Sequence, residues 1–335
     1  MNTDYRSPEF TVGITSEGSA QPPPLVPQKR IGLAISSGGA KGLAHVGVIQ
    51  VLEENNISIA AVSGSSMGAY IGALWCAGYK GQQLAALAAE IHTPEILRKL
   101  SDPVFPPTKG LFLGLKAKAH LRHSIGDITF RQLERPLFVV TTDIDTHERI
   151  VCHTGNVIDA VHASCAMPGV IIPVHYEGRR CVDGGVVDPV PVSVLSKYAN
   201  VDAVIAISTI PSIEEIDHCS LEIQAPKRKN IFQRLLSRLL HPINLMACGS
   251  IIDTFTSSLK ASQVRMAHDS CKRADIVIKP ISCIGRWYDY HEYDHFIQIG
   301  RQAAETALPQ IKALLSSNLS NETQANHMVG KSLSR

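Results

Sequence analysis

Gly64-Ser65-Ser66-Met67-Gly68 follows a short apolar run at residues 57–62 and leads into an apolar, helix-like run at 69–77. The order is strand, tight turn, helix, with a serine at the centre of a G-x-S-x-G pattern. In such an elbow the serine occupies a sharp, strained turn, and its hydroxyl stands exposed at the top of a sheet. Gly64 and Gly68 flank it because a side chain at either place would press on the neighbouring strand or helix. The helix that follows aims its N-terminal N–H groups at the site and favours negative charge there. A serine so placed is built to attack a carbonyl. Two glycines around a serine also occur in ordinary β–α turns, so the weight of the pattern depends on the rest of the chain.

Upstream, residues 31–36 read as an apolar strand and Ser37-Gly38-Gly39-Ala40-Lys41-Gly42 as a glycine-rich turn. Residues 43–55 read as a helix with Val46, Ile49 and Leu52 on one face, and 82–91 as another helix. Alternating apolar strands and helices predict an α/β fold with a mainly parallel sheet covered on both faces. Further strands are expected at 137–143, 150–153, 170–176, 180–182, 203–208 and 275–279, with a hairpin across Asp145-Thr146-His147-Glu148. Further helices are expected at 157–165, 191–198, 243–272 and 296–315.

Three segments stand apart. Residues 94–125 break the pattern with Pro103, Pro106, Pro107, Gly110 and Gly114, and their apolar residues suit a lid or substrate-facing insertion. Residues 227–241 alternate Lys227, Arg228, Lys229, Arg234 and Arg238 with Ile231, Phe232, Leu235, Leu236, Leu239 and Leu240. That is the pattern of a basic amphipathic helix, which suits an anionic membrane surface or a packed helix with a solvated basic face. Residues 1–29 are polar and contain Pro22-Pro23-Pro24, so they read as a disordered arm, and 316–335 as a flexible polar tail. Residues 30–315 remain as the folded domain.

Composition narrows the function. The 335 residues are 44% hydrophobic and 19% charged, an ordinary globular balance. A net charge of +2 excludes nucleic acid as the expected partner. The eight cysteines form no C-x-x-C pair, so no metal site is expected, and Cys76, Cys152, Cys165, Cys181 and Cys248 read as packed thiols in a reducing compartment. No cofactor is implied. No run reaches the roughly 20 apolar residues of a membrane span, and the N-terminus lacks a secretory pattern. The expectation is a cytoplasmic protein, with 227–241 as the candidate peripheral membrane contact. Without export, the N-x-[ST] matches at Asn318 and Asn321 carry no meaning.

An acyl-transfer serine needs donors for an oxyanion and a base for its proton. The glycine-rich turn at 37–42 is the candidate for the donors. It leaves the same edge of a parallel sheet as the elbow, where ligands bind. The amides of Gly38, Gly39 and Ala40 could then face Ser66, each such donor being worth about 2.7–4 kcal/mol. Lys41 would add positive potential. A phosphate loop is the rival reading, but the full G-x-x-x-x-G-K-[ST] pattern is absent. Asp183-Gly184-Gly185 is the candidate for the base, although Asp-Gly is also a common hairpin turn. Asp143 and Asp145 read as turn-shaping residues. His45 and His162, in apolar helices, read as core or interface histidines.

Taken in order, Gly38-Gly39-Ala40-Lys41-Gly42, Gly64-Ser65-Ser66-Met67-Gly68 and Asp183-Gly184-Gly185 resemble the patatin-like phospholipases, most closely the bacterial single-domain members. Ala163-Ser164-Cys165-Ala166-Met167-Pro168 and Asp188-Pro189-Val190-Pro191 extend the resemblance. It implies a three-layer α/β/α fold and lipid acyl hydrolase activity on phospholipids or other acyl-ester lipids. It implies Ser66 as nucleophile and Asp183 as base in a dyad, with Gly38 to Gly42 as the oxyanion loop. Ser37 stands where the family often has a further glycine, and Asp188 where it often has asparagine; Asp188 would add a charge nearby. A carboxylate is a weaker base than imidazole, so desolvation of Asp183 would be needed to raise its pKa. Two alternatives stay open. One is a Ser–Asp–His triad using His218, His241, His268, His291 or His295. The other is a lipid-binding or regulatory module without turnover, which the intact Ser66 and Asp183 oppose.

Overall fold

Ile31-Gly32-Leu33-Ala34-Ile35 puts three large side chains on one face of a strand and two small ones on the other, and this asymmetry sets the spacing of the layers. In the computed structural model, which describes residues 29–216, 251–281 and 286–332, this run is β1 (Ile31–Ile35). β1 is parallel to β2 (Ile59–Ser65) and β7 (Ala203–Ile207). β2 is parallel to β3 (Leu137–Asp143), and β7 to β8 (Ile276–Ile278). Antiparallel strands extend the sheet: β4 (Arg149–Cys152) and β6 (Arg179–Asp183) pair with β3, and β5 (Val174–Tyr176) pairs with β6.

Helices cover both faces. Ile31, Leu33 and Ile35 share a core with α1 (Ala44–Glu54), α2 (Met67–Cys76), α3 (Gly81–Glu90), α6 (Val157–Ser164) and α9 (Tyr293–Ser332). On the other face Ala34, Ala61 and Ala206 meet Val192, Val194 and Leu195 of α7 (Val192–Tyr198) and Ala267 of α8 (Ile251–Cys271). The approach there is close: a Cβ on Gly32 would lie 3.0 Å from Leu195 Cδ1. The expected mixed fold, with a mainly parallel sheet between helical layers, is the observed one.

One topological detail positions the site. Val139 and Val140 of β3 pair with β2 on one edge and β4 on the other, whereas Thr141 and Thr142 pair with β4 and β6. β6 therefore continues along the edge that β2 vacates. Its last residue, Asp183, arrives beside the carboxyl end of β2, where Ser66 begins the turn.

Several boundaries differ from the expectation. Residues 94–125 hold two helices, α4 (Pro94–Leu100) and α5 (Leu115–Ile125), rather than loops alone. Leu121 is the buried side chain of α5, so the segment shows little apolar periodicity. The glycine-rich turn is itself a 3₁₀ turn, Gly39–Leu43, that feeds α1. Of the strand expected at 170–176, Val174–Tyr176 pairs. The C-terminal helix begins at Tyr293 and continues to Ser332, through residues read as tail. The arm at 1–28 and the basic pattern at 227–241 lie outside the described residues. Among the described residues no helix is long and apolar enough to cross a membrane.

Candidate active site

β2 ends at Ser65 and α2 starts at Met67, so Ser66 alone makes the turn, with φ +53° and ψ −122°. A non-glycine residue in that region is strained and must be held by its surroundings. The neighbours leave no space for side chains. A Cβ on Gly68 would lie 2.3 Å from the Ile35 carbonyl oxygen, and one on Gly64 2.6 Å from the Gly68 backbone. The Ser66 N–H donates to Ser164 Oγ at 2.9 Å, and the Ser164 hydroxyl donates to the Val140 carbonyl at 2.6 Å. The Ser65 hydroxyl donates to the Asp188 carbonyl at 2.6 Å.

Asp183 is buried at the end of β6. Its N–H donates to the Ala166 carbonyl at 2.9 Å, and its own carbonyl accepts the Thr142 hydroxyl at 2.9 Å. Its carboxylate accepts the Gly185 N–H at 2.7 Å, and the Ser66 hydroxyl lies near enough to favour its ionised form. Burial pushes this carboxyl up to about 6, against the lowering effect of those two groups. Gly184 and Gly185 are required by close approach: a Cβ on Gly184 would lie 2.1 Å from the Val140 carbonyl oxygen, and one on Gly185 2.9 Å from Ser37 Oγ.

The glycine loop packs directly on the elbow, since a Cβ on Gly42 would lie 2.5 Å from Met67 Cγ. It is clamped on four sides. The Ser37 N–H donates to the Pro189 carbonyl at 2.9 Å, and the Thr209 hydroxyl donates to the Ser37 carbonyl at 3.0 Å. His45 Nε2 donates to the Ser36 carbonyl at 2.9 Å. The Ala40 N–H donates to the Trp287 carbonyl at 2.6 Å. Ala40 was expected among the oxyanion donors, and that bond withdraws its amide. Among the described residues nothing accepts from the Gly38 and Gly39 amides, and Gly39 holds a φ of +56° against the Trp287 carbonyl. Lys41 lies at the same mouth, its pKa lowered by burial and then by Lys260 beside it.

Ser66, Asp183, Gly38 and Gly39 open onto a cavity of about 760 Å³. Its apolar walls include Leu74, Leu84 and Leu87, together with Leu100 of α4 and Ala117 and His120 of α5. Residues of the 94–125 segment thus form part of the cavity wall. In the cavity wall the Tyr70 hydroxyl and His120 Nδ1 share a hydrogen bond of 2.9 Å. A cavity of this size and lining fits a long apolar group attached to a polar reacting centre.

Other candidates fall where chemistry puts them. His45 is fully buried and kept neutral, its pKa pushed down by burial to about 4. His162 Nε2 donates to the Leu113 carbonyl. His268 and His291 are exposed, and among the described residues no histidine is bonded to Ser66 or Asp183; His218 and His241 lie outside those residues. Asp143 accepts the Asp145 and Thr146 amides, as a turn-shaping residue does. Asp188 is paired with Arg149, which also donates to Ser193 Oγ at 2.8 Å, so the added charge is matched locally. Burial pushes the Cys76 and Cys152 thiols up to about 12, which leaves them inert. Among the described residues no cluster could hold a metal ion. Ser164, Thr209 and Trp287 complete the site and were not singled out from sequence, because nothing local marks a residue that acts across the fold.

Residues 33–196 match the family model described as Patatin-like phospholipase. An uncharacterized NTE family protein of Mycobacterium tuberculosis is 36% identical over 179 residues, covering 53% of this chain and 49% of that protein. The neuropathy target esterase sws of Drosophila melanogaster is 30% identical over 169 residues, covering 49% of this chain and 12% of that protein. The chain thus spans about half or less of the length of these relatives. VipD from Legionella pneumophila overlays 84% of this chain and 67% of its own, with a TM-score of 0.42 and 13% identity.

Proposed function

Residues 33–196 of this chain are a patatin-like phospholipase domain, and on that premise we propose that the protein is a serine hydrolase of acyl-ester lipids working through a Ser66–Asp183 dyad. The observation that carries this reading is the strained Ser66 elbow facing the same cavity as a buried carboxylate, Asp183, whose pKa burial raises to about 6. Asp183 takes the proton as Ser66 Oγ attacks the ester carbonyl carbon. The carbonyl oxygen becomes an oxyanion held by the Gly38 and Gly39 amides, close to the positive end of α2. The carbon–oxygen bond to the alcohol breaks, and the leaving oxygen takes the proton from Asp183. Water then attacks the acyl-enzyme with Asp183 again as base, releasing the fatty acid and restoring Ser66.

The apolar wall of the cavity would take the acyl chain, which excludes water from the reacting carbon. The dyad is favoured over a triad because every described histidine near the cavity is bonded elsewhere: His45 to Ser36 and His120 to Tyr70. The substrate class is a phospholipid, lysophospholipid or similar acyl ester, met at a membrane surface. The test is a mass-spectrometric screen of lipid classes with wild type, Ser66→Ala and Asp183→Asn. Fatty acid release by wild type, and by neither variant, is the expected result. A fluorophosphonate probe should label wild type and not Ser66→Ala; absence of labelling in folded wild type would favour a binding module.

A further inference from the structure

Three exposed apolar side chains lie on segments that adjoin the cavity wall at Phe112 and Val170. Phe105 is 95% exposed, Leu115 50% and Phe255 48%. The backbone ties them together. The Val104 N–H donates to the Leu111 carbonyl at 2.8 Å, closing residues 104–111 into a finger that carries the exposed Phe105 and Lys109. At its base the Leu111 and Phe112 amides both donate to the Val170 carbonyl at 2.9 Å. The Phe255 ring lies against Gly169, the residue before Val170, where a Cβ would be 3.7 Å from the ring. Phe112 and Val170 line the cavity itself. Leu115 opens α5, four residues after the finger closes at Leu111.

We propose that this rim is a lipid-surface docking face, with Phe105, Leu115 and Phe255 entering the acyl region and Lys109 and Lys116 meeting anionic headgroups. The proposal rests on the acyl-lipid reading above, because it sets the cavity wall made by Phe112 and Val170 against the bilayer that holds the substrate. Charge supports a lipid surface. Residues 94–125 carry six Lys or Arg against two acidic residues, and with Lys118 paired to Asp159 and Arg122 to Asp127 an excess remains, although the whole chain is only +2. One of the two acids, Asp102, has its carboxylate occupied by the Gly114 and Lys116 amides. Apolar side chains with neighbouring lysines are the combination that holds a protein reversibly at an anionic interface. Pro103, Pro106 and Pro107 restrict the finger, so little ordering is needed on docking. A second copy of the chain is the weaker occupant: the two Phe, at about 150–250 Å² each when fully exposed, and Leu115, with Phe255 and Leu115 half covered, offer roughly 400 Å² per copy, and twice that falls short of the roughly 1,200 Å² of a stable interface.

The test uses the full chain with Ser66→Ala, so that lipid is not consumed, and sedimentation with vesicles of phosphatidylcholine alone or mixed with phosphatidylglycerol. Phe105→Ala should lower partitioning by about ten-fold or more. Lys109→Glu with Lys116→Glu should remove the preference for phosphatidylglycerol and its sensitivity to salt. Phe105 is almost wholly exposed, so its loss leaves the fold intact. With Ser66 restored, Phe105→Ala should hydrolyse a short, water-soluble ester as fast as wild type and vesicle lipid more slowly. Unchanged vesicle binding by Phe105→Ala overturns the proposal, as does absent binding by the parent. A dimer in sedimentation velocity that Phe105→Ala abolishes, without vesicle binding, would assign the rim to a second copy instead. Failure of wild type to hydrolyse any ester would sink the acyl-hydrolase reading, while the vesicle result would still decide the docking face.

Discussion

Ser164 fixes Ser66 through the backbone: its hydroxyl accepts the Ser66 N–H at 2.9 Å and donates to the Val140 carbonyl at 2.6 Å. Ser66 needs this support because its φ of +53° is one that a residue with a side chain resists. Removing the hydroxyl leaves a buried donor and a buried acceptor unmatched, at about 1–3 kcal/mol. Ser164→Ala should therefore lower kcat on a soluble ester by about ten- to a hundred-fold with KM little changed, and Ser164→Thr should recover part of it. Steady-state kinetics separates the two parameters. A fall in KM-linked affinity alone would mean that Ser164 does not hold the nucleophile.

The Asp183 carboxyl, raised by burial to about 6, must be ionised to take a proton from Ser66. The rate, as kcat/KM, should rise with pH and level off above about 6. Asp183→Asn keeps the shape without the basicity and should lose about a hundred- to ten-thousand-fold, together with that acid limb. A pH–rate profile on a soluble ester checks both. A wild-type limb near the ordinary carboxylate value of 3.8 would show that burial does not tune this group.

Asp183 and His45 act on stability with opposite sign. The folded pKa of Asp183 lies above its ordinary value, so its contribution is present below pH 3.8 and lost as pH rises through 6. The folded pKa of His45 lies below its ordinary value, so its contribution is present above pH 6.5 and lost as pH falls through 4. Each is worth about 3 kcal/mol, and the windows overlap, so the two nearly offset between pH 4 and 6.5. Asp183→Asn should raise stability at pH 7 and make it fall on acidification by about 3 kcal/mol. His45→Gln should reverse the slope, with stability rising as pH falls. Urea melts at several pH values measure both slopes, and parallel curves for the two variants would contradict the assignment.

The sheet and the elbow were legible because their signals are local. Apolar runs of strand length mark β1 and β3, and the paired glycines around Ser66 announce a turn that only small neighbours allow. Asp183-Gly184-Gly185 was readable as a turn, but its nearness to Ser66 depends on β6 following β2 along one edge of β3, which no local pattern contains. α4 and α5 were missed because α5 buries Leu121 and little else, leaving almost no periodicity. The availability of the Ala40 amide depended on Trp287, nearly 250 residues later in the chain. Likewise Asp188 read as a stray charge until Arg149 proved to lie against it.

Gly68 and Gly72 sit one helical turn apart on α2, and the same substitution should have opposite results at the two places. At Gly72 a Cβ would meet Leu137 Cδ1 at 3.3 Å and Val62 Cγ1 at 3.4 Å, the movable ends of side chains. Alanine there also gains about 0.8–1 kcal/mol of helix propensity, so Gly72→Ala should be close to neutral. At Gly68 the Cβ would lie 2.3 Å from the Ile35 carbonyl oxygen and 2.6 Å from that of Ser36, which belong to the sheet and to the root of the glycine loop. Neither can yield without moving the Gly38 and Gly39 amides away from Ser66. Gly68→Ala should therefore destabilise the fold by about 1–3 kcal/mol or more and abolish fluorophosphonate labelling at temperatures where it stays folded. Thermal melts with labelling at matched folded fraction test the pair. Normal labelling of Gly68→Ala would mean that the elbow and the loop are not held in register by this contact.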